Sequence, residues 1–337
     1  DAIARRLLTA EGSAFDQPAA GYYLESDARQ LAEMTSQVFL GVRLQCAQCH
    51  NHPFERWTMD DYYGFAAFFA RVSVKTTEDP RERVVSERAE GEVRHPKDLR
   101  VMPPRFLGAQ GPELDKGAHR RASLAEWLTS VDNRFFARNV ANRLWARLFG
   151  RGLVEPVDDF RVSNPASHPD LLDHLAKRLI EEHFDVRPLV REICASDAWQ
   201  RSSANDGAAR DLAAYPIERL GAEELAEAIA VVTGVETRFS PIDPGASAFE
   251  VSDGDPQSAF LDLFGRPRRQ SACACDRREE PTLAQALHLI NGATISDKLR
   301  DPAGRVGRLI AESATIAAIL DDVWWAAYAR PPRADER

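Results

Sequence analysis

The chain has 337 residues, of which 44% are apolar and 28% are charged, the composition of an ordinary globular protein with room for two domains. Its net charge of −9 argues against a nucleic-acid binder or an anionic-membrane binder, because either needs a basic face. No apolar run approaches the ~20 residues that span a bilayer. Five cysteines are too few for a disulfide scaffold of this length.

The first third of the chain places a cysteine motif between two predicted helices. Residues 26–42 carry apolar side chains near helical spacing behind a Ser/Asp cap. Residues 58–72 begin with a Thr cap and gather aromatic side chains on one face. The chain opens directly in a helical pattern without an initiator Met, so we expect a fragment whose missing signal peptide says nothing about its compartment.

The remainder predicts a short β-element followed by more helices. Residues 75–120 are charged and rich in Pro and Gly, with a possible hairpin near 83–101. Helical patterns resume from 121, including one over 167–183 in which Ser167 is a predicted cap. We therefore predict a mainly α, irregular helical two-domain chain with a small β-hairpin, divided as 1–74, a linker at 75–120, and 121–337.

The motif between the first helices has the pattern that attaches a c-type haem. In Cys46-Ala-Gln-Cys49-His50, two thiols can add to the haem vinyl groups, and the adjacent imidazole can ligate the iron. Met102, in a Met-Pro-Pro loop, is the leading candidate for a sixth ligand, with an apolar loop residue as the alternative. His95 is the second candidate.

Two other uses of the cysteines stay open. A second pair, Cys273 and Cys275, could join Cys46 and Cys49 around a zinc-like structural metal, with His50 and His52 as further ligands. Alternatively, the first pair could be a dithiol or a disulfide.

A third function class, hydrolysis, rests on loop carboxylates. Glu155, Asp158 and Asp159 lie in one loop beside Arg161, and paired carboxylates can carry acid/base chemistry. Structural ion pairs are the alternative. The sequence therefore leaves open whether the chain is an enzyme.

Long strings resemble two known families. The segment TSQVFLGVRLQCAQCHNHPFERWTMDDYYGFAAFFARV resembles the C-terminal part of the planctomycetal cytochrome-c-like domain of unknown function. The segments LAEWLTSVDNRFFARNVANRLWARLFGRGLVEPVDDF and FLDLFGRPRRQSACACDRREEPTLAQALHLING resemble the planctomycetal secreted domain of unknown function. Asp276 stands where the second family pattern leads us to expect Glu.

The resemblance implies an exported protein without an established activity. It implies an extracytoplasmic location, periplasmic or secreted. On these grounds we expect a haem-c redox protein that passes electrons to a partner protein, with no nucleic acid and no membrane span. A non-enzymatic domain with a structural metal or disulfides is the alternative.

Overall fold

A computed structural model describes residues 1–24, 27–109, 118–203, 215, 219–239, 246–251, 258–266 and 281–337. The described chain is mainly α-helical with two small antiparallel sheets, which confirms the predicted fold class. The described residues form two compact units, the first within 1–215 and the second within 219–337. The domain limits predicted at residues 74 and 120 were drawn from sequence patterns, whereas these units are defined by their internal contacts. The predicted limits therefore stay a prediction.

The first unit contains seven described α-helices and five short strands. The helices are α1 (Ala2–Leu8), α2 (Ala28–Thr35), α3 (Met59–Ala66), α4 (Arg120–Leu128), α5 (Arg134–Phe149), α6 (Pro169–Glu181) and α7 (Val186–Ala195). The strands are β1 (Gly12–Ser13), β2 (Val72–Thr76), β3 (Arg83–Glu87), β4 (Val93–Arg94) and β5 (Val101–Met102). A π-helical turn, Ser36–Leu40, continues α2, and a 3₁₀ turn, Gln45–Gln48, carries the first cysteine.

The residues of the predicted hairpin near 83–101 belong to two separate small sheets. Strand β3 pairs antiparallel with β2, in the register Val74 opposite Val85, and with β1 on its other side. Strands β4 and β5 form a separate pair in which Val93 lies opposite Met102. Valines recur in these strands because β-branched side chains suit a half-buried pleated surface.

Aromatic packing builds the first core of this unit. The aromatic face of α3 is fully buried at Tyr62 and Phe65, as its periodicity predicts, and the 3₁₀ turn that follows, Ala67–Phe69, adds the fully buried Phe68. Arg121 is also fully buried: its guanidinium lies 4.9 Å from the Tyr23 ring centroid and donates to the Ala10 carbonyl at 2.9 Å. A buried charge is tolerated only when it is paired, and Arg121 is paired with carboxylates described below.

A second core lies between α5, α6 and α7. Trp145 stacks on Phe149 with ring centroids 4.1 Å apart, and Leu172, Leu179 and Ile193 close the cluster. Asn142 crosses this core and holds the loop after α5: its side chain accepts from the Val154 N–H and donates to the Val154 carbonyl, both at 2.9 Å. The loop that contains the predicted carboxylates is thereby fixed to α5.

All the regular secondary structure described in the second unit is helical. Its helices are α8 (Ala222–Thr233), α9 (Ala259–Leu263), α10 (Leu283–Asn291), α11 (Ala293–Arg300), α12 (Arg305–Ala311) and α13 (Ile316–Tyr328). Helix α8 contacts α9, α11, α12 and α13. Arg305 links three of them, because it donates to the Val232 carbonyl at 2.8 Å and pairs with Asp322 at 2.7 Å. Among the described helices, none has both the length and the hydropathy to cross a bilayer.

Candidate functional site

The two cysteines of the motif face solvent on one short turn. Cys46 and Cys49 are exposed free thiols at the 3₁₀ turn Gln45–Gln48. Between them, Ala47 is fully buried and anchors the turn in the core. The preceding π-helical turn ends at Gly41, whose φ of 68° is a left-handed conformation that favours glycine. Leu44 and Ala47 stay buried in the core while both cysteines are exposed, so the turn presents the two thiols to the outside.

The imidazole of His50 is oriented by its own backbone. Its Nδ1 lies 2.8 Å from the carbonyl oxygen of Asn51, and a carbonyl only accepts hydrogen bonds. The hydrogen bond therefore assigns the proton to Nδ1, which leaves the lone pair on Nε2 for a ligand. His50 is exposed, so Nε2 can be reached from solvent. This is the tautomer that a metal-ligating imidazole uses when its second nitrogen is held by a carbonyl.

The neighbouring loop is held to α3 by backbone and side-chain hydrogen bonds. Asn51 accepts from the Met59 N–H at 3.2 Å, and the His52 N–H donates to the Trp57 carbonyl at 2.8 Å. The Nδ1 of His52 accepts from the Phe54 N–H at 3.2 Å, which commits that nitrogen to the loop. These contacts give the exposed motif a defined conformation.

Helix α3 also contacts the motif directly. The Tyr63 hydroxyl donates to the Gln48 carbonyl at 2.9 Å. Burial raises the pKa of Tyr63, Arg29 opposes that rise, and the thiol of Cys49 adds to it.

A buried carboxylate fixes the segment that leads into the motif. Asp158 has no exposed side-chain surface and accepts from Gln37 Nε2 at 2.8 Å. Arg43 donates to the same carboxylate through Nε at 3.2 Å and through a terminal nitrogen. Gln45, the first residue of the cysteine turn, donates to Gln37 at 3.3 Å. A chain of contacts therefore runs from Asp158 to the turn that carries the thiols.

The neighbouring acid is paired as well. Asp159 is buried and lies 2.9 Å from the guanidinium of Arg161. Burial lowers the pKa of Arg143, and the charge of Asp158 opposes this effect. Asp158 and Asp159 are thus in ion pairs with arginines, the arrangement expected if they are structural. Glu155, the third loop carboxylate, accepts from the Gly152 N–H at 2.8 Å.

The two residues considered as distal haem ligands are buried. Met102 lies in β5 and belongs to the first core, so its thioether is already packed against apolar side chains. His95 is buried between Asp60 and Asp98, with each ring nitrogen 3.4 Å from a carboxylate oxygen. Its ring meets Tyr63 edge-on at 5.7 Å between centroids. Either residue would have to leave these contacts to bind iron.

The predicted metal-ligand set is not assembled within the part of the chain that the structure describes. Cys273 and Cys275 lie outside the described residues. Cys46, Cys49, His50 and His52 do not form a group of three ligand atoms within 4.8 Å of one another; in the described ranges only Glu11, Glu87 and His119 do so.

That second group is a charge cluster which sequence reasoning missed. His119 Nε2 lies 2.9 Å from Glu11 and 3.0 Å from Glu87, while the buried Arg121 lies 2.7 Å from Glu11 and 3.4 Å from Glu87. The buried guanidinium of Arg121 already pairs with both carboxylates, so we do not assign a metal there. Glu11, Glu87 and His119 come from distant segments of the chain, and no sequence motif contains them.

Comparison with protein families matches residues 120–337 to the model of PSD1, a protein of unknown function (DUF1553). The chain belongs to this family. Residues 10–74, which include the cysteine motif, match the model of PSCyt2, a second protein of unknown function (DUF1549). Both are planctomycete-type domains. No curated protein and no solved structure matches the chain.

Proposed function

We propose that this PSD1-family chain attaches a c-type haem at the turn that ends in His50 and acts as a one-electron carrier. Cys46 and Cys49 would form the two thioether bonds, and Nε2 of His50 would be the proximal iron ligand. One observation carries this assignment: both thiols are free and exposed on one turn beside an imidazole whose Nδ1 is held by a carbonyl. Covalent attachment and axial ligation need this set of groups.

Cys46, Cys49 and His50 fit the haem that the motif implies. The two candidates for a sixth iron ligand, Met102 and His95, do not fit, because both are buried in other contacts. The bound haem would supply reversible one-electron transfer. The role of the chain is to hold the group: the Asn51 carbonyl keeps His50 in one tautomer, and Asp158 and Tyr63 hold the turn in place. We do not assign Met102 as a ligand, because its side chain is packed in the core. Without a Met ligand, we expect a lower reduction potential than a Met-ligated haem has.

The exposed turn also suits exchange with a redox partner protein. An electron carrier must bring the edge of its cofactor close to a partner, and an exposed attachment turn allows that approach. We place the protein outside the cytoplasm, periplasmic or secreted, as its family resemblance implies. The exposed side chain of Phe54, with 68% of its surface accessible, lies on the same loop and is available to cover an apolar cofactor.

A dithiol is the second candidate, because the same observation supports it. Two free cysteines spaced three apart can form a disulfide and can exchange it with other thiols. A shared metal with Cys273 and Cys275 stays a hypothesis, since those residues lie outside the described ranges. We do not favour hydrolysis, because Asp158 and Asp159 are both ion-paired and buried.

Covalent haem content separates these functions. The chain would be exported in a bacterial host that matures c-type cytochromes, purified, denatured and stained for haem. We expect one covalent haem per chain, lost in Cys46→Ser/Cys49→Ser and retained in the matched control Cys194→Ser, since Cys194 lies in α7 away from the motif. A colourless wild-type protein whose mass falls by two hydrogen atoms when an added oxidant forms the disulfide, with no bound metal, would favour the dithiol instead.

A further inference from the structure

Strand β2 forms an open edge of the three-stranded sheet. The strand order is β1–β3–β2, so among the described strands β2 pairs only with β3. The five residues Val72–Thr76 pair in one continuous register, without a bulge or a proline. Exposed edges of this kind accept a strand from another chain, and natural proteins commonly shorten, bend or cover the edges that must stay free. The β2 edge has the length and regularity to receive one more strand.

The register decides which backbone groups of β2 point to the open side. In an antiparallel pair, the N–H and C=O of one residue point to the same side of the strand, and successive residues alternate. Arg88 donates to the carbonyl of Arg71, the residue opposite it in this register, at 2.8 Å. Arg71 and every second residue after it therefore face β3. Val72, Val74 and Thr76 direct their backbone groups to the open side.

The other neighbour of β3 gives the same assignment. Ala14 donates to the Arg83 carbonyl at 2.8 Å, so Arg83 and every second residue after it face β1. The residues between them face β2, as the bond from Arg88 requires. Within the described chain, no hydrogen bond reaches the outward backbone groups of β2. These groups are available to a bound strand.

A groove adjoins this edge and has a volume of about 500 Å³. It is lined by Val72 and Val74 of β2 and by Leu24 and Ala28 beside the start of α2, all of them partly exposed. The buried Phe69 is a further lining residue. Side chains alternate between the two faces of a strand, so every second side chain of a bound strand would enter the groove. Because the partly exposed lining is aliphatic, the groove favours small apolar side chains.

Two unpaired cations flank the edge. Lys75 is exposed and is the one charged residue of β2, and its side chain lies on the face opposite Val74. Arg88 lines the groove and donates to the Ala70 carbonyl at 3.2 Å. In the part of the chain that the structure describes, neither cation has a carboxylate within ion-pairing distance. Opposite charges on paired strands attract and like charges repel, so a strand beside β2 is favoured when it carries an acid.

The acids of this region are already paired or lie outside the paired strands. Asp27 lines the groove, but it pairs with Arg29 at 2.9 Å and caps α2. Glu87 of β3 pairs with the buried Arg121 at 3.4 Å. The other acids lie in loops outside the paired residues of β2 and β3, namely Glu78, Glu82 and Glu90. Strand β2 thus offers one cation and no anion to a strand that pairs with it.

We propose that the open edge of β2 binds an extended acidic segment of a partner protein, in which apolar and acidic residues alternate. The backbone of the segment pairs with Val72, Val74 and Thr76. Its apolar side chains enter the groove, and its acids lie on the other face beside Lys75. The proposal uses no residue of the cysteine turn, so it stands independently of haem attachment.

Peptide binding to the full chain would be measured by fluorescence anisotropy. The probe is a labelled peptide of sequence Val-Glu-Val-Glu-Val-Glu, capped at both ends. We expect it to bind with a Kd of roughly 1 mM or below, and to bind more weakly at high salt. Replacing each Glu by Lys, or arranging the same residues as Val-Val-Val-Glu-Glu-Glu, should weaken binding. N-methylation of the central valine removes one backbone donor and should weaken binding as well.

Matched variants locate the site on β2. Thr76→Pro removes an outward N–H without removing a hydrogen bond to β3, and it should weaken the acidic peptide about three- to tenfold, whereas Thr76→Ala should not. Lys75→Glu should weaken the acidic peptide about fivefold and strengthen the lysine peptide. Lys177→Glu changes an exposed lysine of α6 in the same unit and should alter neither affinity.

Unchanged circular dichroism and thermal stability would show that each variant is folded. Failure of the acidic peptide to bind, equal binding by Thr76→Pro and wild type, or an unchanged preference in Lys75→Glu would overturn the assignment. Self-association of the chain that Thr76→Pro abolishes, with no peptide bound, would identify a second copy as the occupant and would overturn it as well.

Discussion

Replacing Asp158 by Asn tests whether this carboxylate is structural. Its side chain is fully buried and is bonded by Arg43 and Gln37. The Asn variant keeps the shape but removes the charge, and its amide N–H groups would face the N–H groups of Arg43. Breaking a buried ion pair from one side costs about 3–5 kcal/mol. Because 32% of the Arg43 side chain is exposed and water can solvate it, we expect a loss of about 2–3 kcal/mol.

The measurement is the free energy of unfolding in urea, taken from the transition of the first unit. Replacing Trp324 and Trp325 of the second unit by Phe leaves only tryptophans of the first unit to report it. Asp173→Asn is the matched control, because Asp173 makes a surface ion pair with Arg138 and is 62% exposed. It should cost less than about 1 kcal/mol. An Asp158→Asn loss no larger than that of the control would refute the structural role.

Three further changes test other parts of the account. Met102→Ala should lower the free energy of unfolding by about 2–4 kcal/mol and leave haem content unchanged, whereas loss of the haem spectrum without loss of stability would make Met102 a ligand. Thr58→Ala should cost about 1 kcal/mol and Thr58→Ser much less, because the hydroxyl caps α3 by accepting from the Asp61 N–H; equal thermal stability of the two variants would contradict this. The hydrogen bonds from Arg330, with a further one from the Arg333 N–H, lower the pKa of Glu336 to about 2, so the stability that Glu336 contributes is present above its unfolded pKa and is lost as the pH falls toward 2. NMR titration of Arg330→Ala should show a midpoint raised toward the usual glutamate range, and an unchanged midpoint would refute the pairing.

Local sequence signals predicted the helices near the motif with useful accuracy. The Thr58 cap, the acids that follow it and the aromatic face are all observed in α3. The helix expected over 26–42 is divided into α2 and a π-helical turn that ends at Gly41, a change that no periodicity reveals. The predicted cap at Ser167 was wrong: His168 occupies that position, and Ser167 donates to the Leu153 carbonyl instead.

Long-range contacts could not be predicted from the same patterns. The pairing of Gly12 with Val85 joins segments more than 70 positions apart through a strand of only two residues. The partners of Asp158 in the segment before the motif are likewise distant, so sequence alone left its role open. A Met-Pro-Pro loop suggested an iron ligand, but Met102 pairs across a short sheet and is buried. The motif itself was found by its spacing, because Cys46, Cys49 and His50 lie within five residues.

The most direct test of the account is a haem stain of the exported chain after denaturation, together with its intact mass. The account predicts one covalently bound haem, which survives denaturation, is lost when Cys46 and Cys49 are replaced by Ser, and is kept when Cys194 is replaced. It also predicts that His50→Ala retains the covalent haem but changes its spectrum, because the proximal ligand is gone. A wild-type chain that matures without haem in a competent host would contradict the central claim.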